Sequence, residues 1–322
     1  MLPESSPGKG GMLMVKKVCF WLGGRVGYLL YTMLLLALFL WLLFPETAVQ
    51  RLSVRALNTL SPDMTWQMGS AALHQPGTLV FEAITGYHAD DVRQPLVQID
   101  AMHLQPKPGI SLRTGDPQAV YLLHLAGGTV SGTLILEKDG WLRLTGTIER
   151  VQIAHIKVWE PSLQRSVEGE LFGSFTGRVR GHGLEIEEMH GTVLLENGQI
   201  ELKRAILMHQ WFPFDRIAME LESLGDSIRI TSGEIDSAFF SGQFSGETRI
   251  RHPLEQSQLD LRGTLQPRPG FFSRVNNAVL LEAVRNRLRD RELPFLLSGE
   301  VGEPSIHFHE FSMLFEALEQ EL

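Results

Sequence analysis

Apolar and polar positions along this chain follow two periods, one after the other. Val26 to Phe44 (VGYLLYTMLLLALFLWLLF) is a run of 19 residues without a charge. At ~1.5 Å per residue it predicts a helix about 28 Å long, close to the ~30 Å hydrocarbon core of a bilayer. Val49, Leu52, Ala56, Leu57 and Leu60 then recur at helical spacing until Ser61-Pro62 ends the pattern, which predicts an amphipathic stalk helix over 45–62. From about Thr65 the period drops to two. In Trp141–Glu149, Leu142, Leu144, Gly146 and Ile148 face one way, against Arg143, Thr145, Thr147 and Glu149. Ser166–Arg180 sets Val167, Gly169, Leu171, Gly173, Phe175, Gly177 and Val179 on one face, and Phe240–Arg251 does the same with Phe240, Gly242, Phe244, Gly246 and Ile250. Shorter alternating runs fall at 78–84, 129–137, 199–203, 217–221, 227–231, 259–265 and 295–301, with Lys138-Asp139-Gly140 and Glu196-Asn197-Gly198 read as turns between them.

Alternation over so many segments predicts sheets with one dry and one wet face, and hence antiparallel pairing. The expected fold is mainly β. One N-terminal transmembrane helix (26–44) and its stalk precede an elongated, curved, predominantly antiparallel sheet over 65–310. One inserted helix is expected at about 271–291 and a C-terminal amphipathic helix at 311–322. The inserted segment places Leu280, Leu281, Val284 and Leu288 on one side, with Arg274, Arg285, Arg287, Arg289 and Arg291 elsewhere. Those arginines are candidate contacts for anionic headgroups or an acidic partner, or simply a solvated face. In the last segment Phe311, Leu314, Phe315, Leu318 and Leu322 share a stripe, suited to covering an open sheet edge.

The apolar run is longer than the ~7–15 residues of a signal peptide core, and the FPETAVQ after it offers Glu where cleavage wants a small residue, so an uncleaved anchor is expected. Lys9, Lys16, Lys17 and Arg25 precede it; Arg51 and Arg55 follow, with Glu46. That balance predicts a basic cytoplasmic N-terminus over 1–25 and a body outside the cytoplasm. Gly23 and Gly27 form a GxxxG pair, a candidate helix-pairing site.

Composition narrows the function classes. A formal charge of −8 and a pI near 5.8 argue against nucleic acid as a partner, since phosphate binding needs a dense cationic face. The single cysteine, Cys19, rules out an internal disulfide and a thiolate zinc site. No nucleophile elbow is present, since Gly173-Ser174-Phe175-Thr176-Gly177 has its serine one place early, and Gly127–Thr133 lacks the lysine of a phosphate loop. His307 and His309 stand two apart on an expected strand, without a third ligand placed by sequence. No cofactor is expected. Glycine on the dry face of a strand weakens it unless something needs the room. Gly169, Leu171, Gly173, Phe175, Gly177, Phe240, Gly242, Phe244 and Gly246 are therefore candidate groove-lining residues. They mark tight curvature and close packing, or an apolar groove kept open for a lipid chain or peptide.

Several phrases carry a family likeness: the anchor ending Leu42-Leu43-Phe44-Pro45, then Gln75-Pro76-Gly77-Thr78-Leu79-Val80-Phe81, Glu168-Gly169-Glu170-Leu171-Phe172-Gly173, Leu261-Arg262-Gly263-Thr264-Leu265-Gln266-Pro267, and the closing Leu293-Pro294-Phe295-Leu296-Leu297-Ser298-Gly299 through Pro304-Ser305-Ile306. In these and in layout the chain resembles the type II secretion system protein N (GspN) family over most of 25–308. It departs at Pro62-Asp63-Met64-Thr65 and in its acidic tail. The broad layout is also similar to AsmA-like envelope proteins, whose folded-over sheets carry an apolar groove. The resemblance implies a non-enzymatic, single-pass accessory of the inner membrane of a Gram-negative bacterium, with a periplasmic β-domain that meets other secretion proteins. The AsmA-like alternative implies an envelope lipid-binding or lipid-transfer protein. Neither carries catalytic residues onto this sequence.

Overall fold

The computed structural model describes residues 26–36, 38–39, 44–60, 64–74, 77–88, 91–156, 166–180, 185–206, 209–251, 256–268, 270 and 292–308. The chain divides into two compact units, Met1–Glu46 and Thr47–Leu322. In the first, 26–36 and 38–39 are helical, with Tyr28, Leu29, Leu30, Met33 and Leu34 all exposed. Among the described residues no helix is long and apolar enough to cross a membrane. The rest of the expected span, Gly23, the basic segment 271–291 with Arg274, Arg285, Arg287 and Arg289, and the tail 311–322 lie outside the described residues.

The second unit is one sheet of fourteen strands in strict sequence order. Its first half comprises β1 (Met64–His74), β2 (Thr78–His88), β3 (Asp91–Pro106), β4 (Gln118–Leu125), β5 (Gly128–Leu136), β6 (Trp141–Gln152) and β7 (Val167–Arg180). Its second half comprises β8 (Glu185–Ile206), β9 (His209–Leu224), β10 (Ser227–Asp236), β11 (Phe240–Arg249), β12 (Gln258–Pro267), β13 (Leu293–Glu300) and β14 (Glu303–Phe308). Every neighbouring pair is antiparallel. The period-two reading of the body and its antiparallel pairing therefore hold. The Lys138–Gly140 turn joins β5 to β6 as expected, with Gly140 at φ 84° and its N–H donating to Glu137 O at 3.0 Å.

Three expectations need correction. Glu196-Asn197-Gly198 is no hairpin turn. β8 runs through it, and Asn197 at φ 50° bulges the strand against β7, where Asn197 and Gly198 oppose the single Gly169, while Glu196 stays paired to Arg216 and Gly198 to Phe214 on β9. A side chain at φ > 0 is tolerated best by Asn and Gly, so one dipeptide serves a turn or a bulge. A short helix not foreseen, α2 (Pro108–Thr114), joins β3 to β4 and ends at Gly115 in the left-handed region.

The stalk forms as α1 (Glu46–Leu60), but it lies against the sheet. Its Val49, Val54 and Leu57 pack on a buried cluster of Met68, Ala71, Phe81 and Ile84 from β1 and β2, whereas Leu52 is 74% exposed. The buried stripe is thus rotated from the one that spacing alone predicts. Hydrogen bonds explain the rotation. Asn58 Oδ1 accepts from the Trp66 N–H at 2.8 Å, and the Gln50 amide donates to Met68 O at 2.5 Å and Gly69 O at 3.3 Å. These side chains satisfy backbone groups on the free edge of β1, which would otherwise offer a template to another strand.

Candidate functional site

The candidate site is the dry face of the sheet, and register decides which residues share it. Directly opposed residues of an antiparallel pair project to the same side. From β7, Leu171 is followed across the strands by Leu195, Ile217, Ile235 and Gly242. Gly173 is followed by Val193, Met219, Gly233 and Phe244, and Phe175 by Gly191, Leu221, Ile230 and Gly246. The two candidate stretches, 169–177 and 240–246, lie four strands apart in the sheet yet are joined by three unbroken apolar rows. Phe240 extends the face onto β12, opposite Pro267, and is buried with Phe239. Gly177 continues it between Leu144 and Met189. Gly169 sits in a bulge between Glu168 and Glu170 at φ 139°, a conformation that excludes most side chains.

What the glycines make room for is specific. Gly146 of β6 is the register partner of Phe175, and a methyl group built on it would meet the Phe175 ring and, at 2.5 Å, the Tyr121 hydroxyl. Gly233 of β10 stands in the same relation to Phe244, whose ring would lie 2.5 Å from such a methyl. Each glycine is thus covered by the aromatic ring of its register partner on the neighbouring strand. The rings take space that an upright side chain would have filled, so the dry face is shallow there rather than stripped bare. Close backbone approach accounts for others: a methyl on Gly191 would come within 3.0 Å of Ser174 O. Both readings of the glycines, close packing and an accessible apolar floor, therefore meet on one surface.

Coverage is uneven. The β1–β2 cluster is sealed, with Ile84 only 1% exposed, and Leu293 at the other end is fully buried. In between, Leu123, Val130, Ile148, Leu171, Phe175, Val193 and Met219 remain half-buried, interspersed with buried Tyr121, Val151, Val179, Ile217 and Ile230. Among the described residues, α1 meets the sheet at the β1–β2 cluster of Met68, Ala71, Phe81 and Ile84, against which Ile99 and Met102 of β3 also pack. Sequence reasoning named the glycine strands but missed Tyr121, Gly191, Val193, Leu221 and Gly233, which complete the rows. The alternation that put Gly146 on the dry face was the signal for Gly191 and Gly233 as well. Nothing in one sequence pairs Gly146 with Phe175.

Tyr121 is the polar exception. It is buried, its hydroxyl donates to Thr145 O at 3.0 Å, and burial pushes its pKa upward. The wet face is ordinary by contrast. Thr133 and Thr145 share a hydroxyl contact at 2.7 Å, as do Ser174 and Thr192 at 2.9 Å. Arg178 is gripped by Glu137 at 2.7 Å and Glu187 at 2.5 Å, and lies with Arg180 over the Trp141 ring. The hydrogen bond to Glu137 leads the influences that hold its guanidinium still more firmly protonated. His307 bonds Ser305 at 3.0 Å, while His309 lies outside the described residues. Among the described residues no group of three His, Cys, Asp or Glu side chains is placed to hold a metal ion. In comparisons with known proteins, no family model, curated protein or solved structure matches the chain.

Proposed function

We propose that this chain is a non-enzymatic accessory of a type II protein secretion machine, fixed in the inner membrane of a Gram-negative envelope by residues 26–44. Its sheet unit stands in the periplasm and acts through contacts with other secretion proteins. The observation that supports the reading is where the family-like phrases fall. Gly77 is the turn that opens β2, Gln266-Pro267 closes β12, and the Leu293–Ile306 phrase is the β13–β14 hairpin. The phrases thus occupy strand boundaries of one antiparallel body, as a shared layout requires. The excess of Lys and Arg before the apolar run supports the orientation. Deleting the gene in its host is expected to reduce secretin-dependent export, with recovery on complementation. Unchanged export after deletion overturns the reading.

The half-buried rows between β4 and β10 favour a second reading, in which the dry face holds acyl chains. The half-buried residues of those rows run from β4 to β9, about 24 Å at ~4.8 Å per strand, long enough to receive an extended fatty acyl chain. Mass spectrometry of gently purified protein is expected to find co-purified phospholipid in this case. Protein that arrives free of lipid removes its basis.

A further inference from the structure

On the wet face, opposite the apolar rows, residues of β9–β12 line a depression of about 450 Å³. Register puts Arg216, Asp236, Ser241 and Gln266 in one row across the four strands, with Glu234, Gln243 and Thr264 in the next. Arg268, just past β12, and Glu292, just before β13, close one end. These charges are not equivalent. Arg268 is used inside the protein, 2.5 Å from Asp236 Oδ1 and donating to Ser237 O at 2.9 Å, so it builds the wall. Among the described residues, Arg216, Glu234 and Glu292 have no ion pair or side-chain hydrogen bond. A free cation therefore lies at the β9 side and free carboxylates at β10 and beside β13. Between them Ser241, Gln243, Thr264 and Gln266 offer donors and acceptors without charge.

The lining selects a ligand class. Among the described residues it carries three carboxylates against two guanidinium groups, which disfavours a phosphate-rich or polyanionic ligand. Among the described residues it has no aromatic ring on which a sugar or base would stack. At ~4.8 Å per strand, Arg216 and Glu292 are about 14–19 Å apart, and an extended peptide covers ~3.3 Å per residue. A stretch of about four to five residues, with its side chains reaching beyond the backbone, fits that distance, and the neutral amides and hydroxyls match its backbone. We propose that this depression binds an extended peptide segment of another protein, with an acidic side chain on Arg216 and a basic side chain on Glu292. The site gives the protein contacts proposed above a place and a chemistry. It rests on different residues from the apolar rows and is independent of any lipid they hold.

The test titrates the full chain in nanodiscs with acetyl-Glu-Gly-Ser-Gly-Lys-amide, using acetyl-Gln-Gly-Ser-Gly-Gln-amide as the neutral control. The charged peptide is expected to bind about tenfold more tightly than the neutral one, and Arg216→Gln to abolish that difference. Arg216→Glu is expected to reverse the preference towards acetyl-Lys-Gly-Ser-Gly-Lys-amide, an outcome that general destabilisation cannot produce. If either Arg216 variant unfolds, Glu292→Gln reads the other end of the site. Equal binding of charged and neutral peptides, no binding of either, or a preference that Arg216 and Glu292 variants leave unchanged overturns the proposal. A secretion defect on gene deletion is scored separately, so peptide binding and the secretion reading fail independently.

Discussion

Over β1 and β2 the dry face is packed by α1, and Ile84 keeps 1% of its surface; over β5–β8 it is set with glycines and the Phe175 ring, and Ile148, Leu171 and Val193 stay half-buried. The two stretches share strand period, pairing sense and apolar content. They differ in what lies above them. The first behaves as a protein core, where each methyl group has partners on every side. The second mixes buried Val151 and Val179 with half-buried neighbours, so part of its apolar area stays open, as expected of a face that meets a mobile partner.

Matched truncations give the largest expected contrast. Ile84→Ala should destabilise the sheet unit by about 2–5 kcal/mol, because the cavity it leaves cannot relax, whereas Val193→Ala should lose about 1 kcal/mol or less. Urea unfolding of both variants measures the pair, and equal losses would remove the distinction between covered and uncovered face. Next comes Gly146→Val, which drives a branched side chain into the Phe175 ring and the Tyr121 hydroxyl. A loss of about 1–3 kcal/mol is expected, part of it recovered in the double variant with Phe175→Ala. No recovery in that thermodynamic cycle breaks the assignment of the glycine to the ring.

Tyr121 adds a pH signature to the glycine-set stretch. Its pKa is higher in the folded protein than in the unfolded chain, so above about pH 10 the unfolded state releases a proton that the folded state retains. Stability from this group is complete below that pH and is lost as pH rises through the folded value. Tyr121→Phe should therefore flatten the alkaline fall in stability, while lowering stability at neutral pH by about 1 kcal/mol through the lost bond to Thr145 O. An alkaline profile unchanged by the substitution contradicts the assignment. The smallest effect is expected at the covered end: Asn58→Ala should cost about 0.5–1.5 kcal/mol and leave the Trp66 N–H on a bare edge. Light scattering on warming should then show earlier association than for the parent protein.

Sequence made the strands legible because alternation persists wherever one face stays dry, as in Leu142–Leu144–Gly146–Ile148. It failed at Asn197 for a local reason. Asn-Gly supplies φ > 0 equally to a hairpin and to a bulge, and only the partner strand, where Asp215 and Arg216 are both exposed between buried Phe214 and Ile217, decides between them. It failed at α1 because spacing gives a helix an apolar side but not an object to face; Gln50 and Asn58 turn that side towards β1. The candidate groove residues were legible as a face, but their union across β8, β9 and β10 was not. The Arg216–Glu292 depression left no trace, since isolated charges on wet strand positions are what any solvated sheet shows.

The strictly sequential strand order carries a consequence for how such a body is made. Each β-strand finds its hydrogen-bonding mate in the strand synthesised just before it, so most loop closures are short, the connection from β12 to β13 being the longest, and contact order is low for an all-β chain. A polypeptide delivered from its N-terminus can zip hairpin upon hairpin without waiting for its far end, each finished edge serving as template for the next arrival. By the same logic, local opening should begin at the last-added strands, ahead of the cooperative unfolding of the rest of the sheet.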